Sequence, residues 1–229
     1  MTLRPRASAA SRAREHAPPP PLPASVTLAA QDLAARRGTR LLWQGVNLTL
    51  SAGDALVVRG ANGVGKTTLL RVLAGLAHAE HGSVRWRGAI VAPHAQALRD
   101  EVLFIGHAPA LRDELTAAEN LTSLAALAAE PMTAGACSDA LAAVDLAAQA
   151  SLPARVLSEG QRRRVPLARL ASTSRPLWIL DEPAAALDAA GVRWLGARLA
   201  GHLAQGGVAV VSTHAPIDVP GARVAEMTL

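Results

Sequence analysis

Eight consecutive residues, Gly60-Ala61-Asn62-Gly63-Val64-Gly65-Lys66-Thr67, fit the spacing G-x-x-x-x-G-K-[ST]. The chemistry such a stretch can do is phosphate binding. Its glycines let the backbone turn tightly and bring N–H groups close to phosphate oxygens. A helix starting here points its positive end at the same phosphates. Lys66 adds a charge near the β and γ phosphates, Thr67 offers a hydroxyl to Mg²⁺, and Thr68 follows in the same first turn. The plain alternative is a glycine-rich turn with a surface lysine. The composition argues against it, because a chance match in a chain with 18 Gly and one Lys occurs about 6 times in 10,000. Lysine is otherwise avoided, and Lys66 is the only one in 229 residues.

A second group of acids stands at the end of an apolar run, Leu177-Trp178-Ile179-Leu180-Asp181-Glu182-Pro183. On a strand, adjacent side chains point to opposite faces. One carboxylate can then reach the metal shell beside Thr67 while the other faces the attacking water. Asp181 is assigned to Mg²⁺ and Glu182 to the water, as general base. His214 follows another apolar run, Val208 to Val211. A lone histidine is commonly structural, but the carboxyl end of a buried strand is where α/β sheets bind ligands, so His214 is a candidate for terminal-phosphate contact. A third motif, Leu157-Ser158-Glu159-Gly160-Gln161, precedes Arg162-Arg163-Arg164 and an apolar helix. Ser158 can cap that helix, and Gly160 leaves room for a phosphate near its start.

The elements that must position these residues follow from the apolar pattern. Ala55–Val58, Val102–Ile105, Leu177–Leu180 and Val208–Val211 are short apolar runs, as expected of strands buried on both faces of a parallel sheet. Lys66 to Leu76 has helical spacing, as do residues 188–204. Residues 116–150 are Ala- and Leu-rich and helical, broken at Pro131. Residues 25–58 and 84–91 hold shorter strand-like stretches with turns between them. The expectation is an α/β core with a helical insertion at about 110–172.

Composition narrows the function classes. Half of the residues are hydrophobic and 18% are charged, so a wholly disordered chain is excluded. No apolar run reaches the roughly 18 residues of a membrane span. One cysteine, Cys137, permits no intrachain disulfide and no cysteine-built zinc site. The net charge is +5, but residues 1–24 hold four Arg against one Glu, or +3, which leaves +2 for the rest. The basic excess therefore lies mostly in an Arg/Ala/Pro-rich tail, read as disordered, and nucleic acid is not an expected partner.

Taken together, these motifs resemble the ATP-binding subunit of an ABC transporter. Residues 60–67 resemble its Walker A, Ser158 to Gln161 its signature (with Glu159 where a second glycine is usual), and Leu177 to Glu182 its Walker B with the catalytic glutamate. Ala185-Ala186-Leu187-Asp188 resembles the D-loop and His214 the switch histidine. The resemblance runs from about Ser25 to the C-terminus. It implies a P-loop NTPase of ABC type: a parallel-sheet core, an antiparallel β subdomain and an inserted helical subdomain. It implies ATP and Mg²⁺, and hydrolysis by Glu182, His214 and Lys66. It also implies a homodimer of nucleotide-binding domains in which Ser158, Glu159, Gly160 and Gln161 act in trans. Three departures stand out. The adenine-stacking aromatic of the family falls near Arg37 or Gly38, where Arg37 could stack through its guanidinium. His107 takes the place of the Q-loop glutamine. Pro166 falls inside the signature helix, where it costs a hydrogen bond.

Finer stretches resemble the haem exporter ATPase of cytochrome c maturation: Ile105-Gly106-His107, Arg163-Arg164-Val165, Leu177 to Pro183, and Ser212-Thr213-His214-Ala215-Pro216. That resemblance implies separate integral membrane permease subunits and a peripheral place on the cytoplasmic face of a bacterial inner membrane. The competing expectations are the ATPase of another small-molecule exporter and a non-transport ABC nucleotide switch. No residue here shows haem chemistry, since Cys137 and the seven histidines form no evident ligand cluster.

Overall fold

The computed structural model describes residues 27–229 apart from Ala186. The tail of residues 1–24, the start of the first expected strand at Ser25 and Val26, and the second residue of the D-loop stretch lie outside the described residues.

Two sheets carry the chain. The first is antiparallel, built from β1 (Thr27–Arg37), β2 (Arg40–Ser51), β4 (His81–Trp86) and β5 (Ala89–Ile90) in the order β2-β1-β4-β5. The second has the order β6-β7-β8-β3-β9, from β3 (Asp54–Arg59), β6 (Val102–Ile105), β7 (Leu177–Asp181), β8 (Val208–Ser212) and β9 (Arg223–Thr228). Every pairing in this second sheet is parallel. The helices are α1 (Lys66–Leu73), α2 (Gln96–Arg99), α3 (Ala117–Leu127), α4 (Ala134–Ala143), α5 (Glu159–Leu167) and α6 (Ala189–Ala204).

The continuous apolar runs are explained by two hydrophobic cores, one on each face of the parallel sheet. Trp178 and Leu180 of β7, with Ala209 and Val211 of β8, face residues of α3 to α6. Leu177 and Ile179, with Val208 and Val210, face α1 and the antiparallel sheet. Strand alternation thus places every residue of both runs in one core or the other. It also aims their last members. Asp181 and Ser212 continue the parity of Ile179 and Val210, toward α1, and pair in register across the two strands.

The helices of residues 117–167 start on sequence-coded caps. Thr116 caps α3 in a reciprocal box with Glu119, and Ser158 caps α5 in the same way with Gln161. The box hydrogen bonds hold the Glu119 carboxyl below its ordinary pKa. Pro131 falls between α3 and α4. Pro166 offers no N–H to the carbonyl four residues back, and one residue later α5 gives way to a 3₁₀ segment, Ala168–Ala171. Arg175 fastens this half of the chain to the core. Its buried guanidinium donates to the carbonyls of Arg99, Val102 and Ala128, and its Nε lies 2.9 Å from Glu130 Oε2.

Candidate nucleotide site

The glycine-rich loop joins β3 to α1, as its spacing predicts. Gly65 stands at the N-cap of α1 with φ 112° and supplies no side-chain cap. The first N–H groups of α1, those of Lys66, Thr67 and Thr68, therefore keep their hydrogen-bonding capacity for an external anion. Glycine is required at position 65 on two counts. The positive φ is one, and the other is Trp43, whose Nε1 would lie 2.7 Å from a Cβ added there. Trp43 instead donates to the Gly65 carbonyl at 3.3 Å, so β2 braces the loop from behind.

Lys66 is 7% exposed. Its Nζ donates to the Gly60 carbonyl at 2.8 Å and lies 3.7 Å from Glu182 Oε1. Thr67 donates its hydroxyl to Asp181 Oδ2 at 2.7 Å, so the expected pairing of α1 with the end of β7 is made directly. His214 Nε2 lies 3.0 Å from Lys66 Nζ, 3.1 Å from Asn62 Oδ1 and 3.3 Å from Glu182 Oε1. A donor and two acceptors converge on one ring nitrogen. Deprotonated, that nitrogen accepts from Lys66; protonated, it donates to Asn62.

Strand alternation predicts that Asp181 and Glu182 point to opposite faces, and here the structure differs. β7 ends at Asp181, and Glu182 adopts φ 53°, in the left-handed region. The turn brings the second carboxylate back to the same site as the first, beside Lys66 and His214. Its Oε1 is buried and forms no hydrogen bond among the described residues. Lys66 Nζ is close enough for charge attraction but beyond hydrogen-bond reach, and the contact with His214 Nε2 lacks hydrogen-bond alignment.

Of the other residues singled out by sequence, His107 lines a narrow cleft with Asp181, Glu182, Arg163 and Pro166. Sequence distance hid that neighbourhood. Arg37 ends β1 at the turn into β2 and is exposed, and among the described residues its side chain has no hydrogen bond or ion pair. No hydrogen bond or ion pair joins residues 158–161 to residues 60–68 among the described residues. Within the signature, Ser158 and Gln161 satisfy each other, and Glu159 Oε1 pairs with Arg163 Nε at 3.1 Å.

One residue of the site was given no role in the sequence, where it figures only within a stretch of family resemblance. Ser212 is fully buried, donates its hydroxyl to Asp181 Oδ1 at 2.6 Å, and accepts the Glu182 N–H at 3.0 Å. The sequence signal that could have found that role is its parity with Val208 and Val210.

Thr67 and Asp181 present hard oxygen donors side by side at the start of a helix, a donor set that suits Mg²⁺. Charge-neutral backbone donors, one buried ammonium and an adjacent carboxylate make the whole arrangement fit a nucleoside triphosphate and an attacking water.

Comparison with known proteins agrees. The ABC transporter family model matches residues 43–185. The cytochrome c biogenesis ATP-binding export protein CcmA of Dechloromonas aromatica is 44% identical over 202 residues, 88% of this chain and 99% of that one. The protein of the same name from Aromatoleum aromaticum is 50% identical over 196 residues, 84% of this chain and 92% of that one. Among solved structures, a dimeric ATP-binding cassette in a post-hydrolysis state, bound to ADP and Pi, superposes with a TM-score of 0.70 at 23% identity. The match covers 82% of this chain and 88% of that one. On this agreement of site, sequence and fold, the chain belongs to the ATP-binding proteins of the ABC transporter family, in the branch of the cytochrome c biogenesis export proteins.

Proposed function

We propose that the chain hydrolyses ATP as the motor subunit of a haem-exporting complex that serves cytochrome c biogenesis. The observation that carries the hydrolytic part is the convergence of Lys66, Thr67, Asp181, Glu182 and His214 at the carboxyl ends of β3, β7 and β8. The biological part rests on the names of relatives 44% and 50% identical over most of the chain.

Residues 60–68 hold the triphosphate by backbone N–H groups, with Lys66 moving from the Gly60 carbonyl to the β and γ oxygens. Thr67 and Asp181 hold Mg²⁺, which when bound neutralises charge on the β and γ phosphates. Glu182 takes the proton of a water as its oxygen bonds to the γ-phosphorus and the bond to the β–γ bridging oxygen breaks, leaving ADP and phosphate. His214 hydrogen-bonds the γ-phosphate. Arg37 stacks on the base and His107 reports on the γ-phosphate to a membrane partner.

Ser158, Glu159, Gly160 and Gln161 complete the site of a second copy. Among the described residues no hydrogen bond or ion pair joins them to the phosphate loop of their own chain, which supports that role, and the working unit is then a homodimer. The dimer sits on integral membrane subunits at the cytoplasmic face of the bacterial inner membrane. None of the described helices is long and apolar enough to cross a membrane itself.

The test is covalent haem in c-type cytochromes of cells that carry Lys66→Ala as their sole copy. Loss of c-type cytochromes with b-type ones intact is expected. Normal c-type cytochromes would overturn the haem-export reading.

A further inference from the structure

We propose that Ser212 is a positioning residue that sets both acids of the hydrolytic site, a role that rests on the ATPase reading above. Its hydroxyl has one proton and lone pairs to spare. The proton goes to Asp181 Oδ1 at 2.6 Å, and a lone pair accepts from the Glu182 backbone N–H at 3.0 Å. The same N–H also reaches the Ser212 carbonyl at 3.1 Å. One buried side chain therefore grips two consecutive residues.

The consequences differ for the two acids. For Asp181, Ser212 holds Oδ1 while Thr67 holds Oδ2. The carboxylate plane is fixed, as an outer-sphere partner fixes a metal ligand. For Glu182, the grip is on the backbone at φ 53°, a conformation that a residue with a Cβ adopts only when its surroundings hold it there. That conformation is what returns the Glu182 carboxylate to the side of Lys66 and His214 instead of the opposite face of the sheet. Ser212 is placed for this by the parallel pairing of β7 with β8, which sets it opposite Asp181. An apolar residue at this position would fit the buried strand but would leave Asp181 Oδ1 without its hydroxyl partner and the Glu182 N–H with the backbone carbonyl alone.

The test uses the full chain with Ser212→Ala, Ser212→Cys and Ser212→Thr. Alanine removes the hydroxyl; cysteine keeps its bulk with a poor hydrogen-bonding group; threonine keeps the hydroxyl on a strand-favouring side chain. Two readouts are taken: kcat for Mg·ATP, and the Mg²⁺ concentration that half-saturates Mg²⁺-dependent binding of a fluorescent ATP analogue. The expected result is a fall in kcat of about 10- to 100-fold for alanine and cysteine, with KM for ATP changed by less than about three-fold. The Mg²⁺ requirement should rise about ten-fold. Threonine should restore both to within about three-fold of the parent. An unchanged kcat and Mg²⁺ requirement in both hydroxyl-free variants would overturn the proposal. So would losses that threonine fails to rescue, since these mark a packing defect. The parent and Lys66→Ala are run beside them. If the parent shows no turnover, the ATPase reading fails, while the Mg²⁺ requirement still decides the role of Ser212.

Discussion

Acid should weaken this fold through one histidine. His202 of α6 is buried, stacks on Trp178 of β7 with ring centroids 3.9 Å apart, and has its ring against Gly207. Burial pushes its pKa down from 6.5 to about 4, only partly offset by the carbonyl of Val208 at 3.2 Å from Nε2. The folded-state pKa lies below the unfolded one, so the unfolded chain binds the extra proton first. The stabilising effect is complete above about pH 6.5 and is lost as the pH falls toward 4. Between pH 7 and pH 5 the unfolded histidine becomes almost fully charged while the folded one stays about nine-tenths neutral. The loss amounts to about 2 kcal/mol, or a fall in Tm of about 4–8 °C for a domain of this size. Denaturant unfolding at both pH values, on the parent and on His202→Phe, isolates the effect from the other titrating groups. Phenylalanine keeps the stack and cannot charge, so its stability should fall by about 2 kcal/mol less than the parent's. Equal slopes for the two proteins would refute the assignment.

Two further substitutions test the frame around the site. Gly65→Ala must place a Cβ 2.7 Å from Trp43 Nε1 at φ 112°, and should cost about 3 kcal/mol in unfolding free energy together with nucleotide binding. Isothermal titration with ATP and a urea melt check both, and a variant that binds normally would contradict the close fit. Arg175→Ala leaves the carbonyls of Arg99, Val102 and Ala128 without a shared donor and Glu130 without its nearest cation. It should destabilise by about 3–5 kcal/mol, and a change under about 1 kcal/mol in urea would refute that estimate.

Much of the site was legible because its motifs are short and local. The loop of residues 60–67 needs no tertiary information: its glycines, lysine and threonine act from adjacent positions, and the strand before it and the helix after it were visible as apolar runs. The runs ending at Asp181 and before His214 were legible for a related reason. Burial on two faces leaves no polar residue before the last position of either strand, so the first polar groups mark the strand ends.

What escaped were features that the surroundings impose. The left-handed turn at Glu182 overrides the alternation expected of a strand, and the hydrogen bonds that sustain it come from Ser212, 30 residues away. Ser212 itself looks like an ordinary strand end until β8 is set beside β7. The cleft that unites His107 with Arg163 and Glu182 needs the packing of α5 against the loop after β6. β9 is mostly exposed and has little apolar alternation; its parallel pairing with β3 defines it.

Everything in the hydrolytic reading turns on Glu182, turned toward Lys66 and His214, as the base that removes a proton from the attacking water. The most direct measurement is phosphate release and ATP binding by Glu182→Gln in the full chain, with mass in solution followed in the presence of ATP. Glutamine keeps the shape and removes the basic oxygen. Phosphate release should fall at least about 100-fold, with nucleotide affinity within about three-fold of the parent and an ATP-dependent dimer that persists. Phosphate release close to that of the parent would contradict that role.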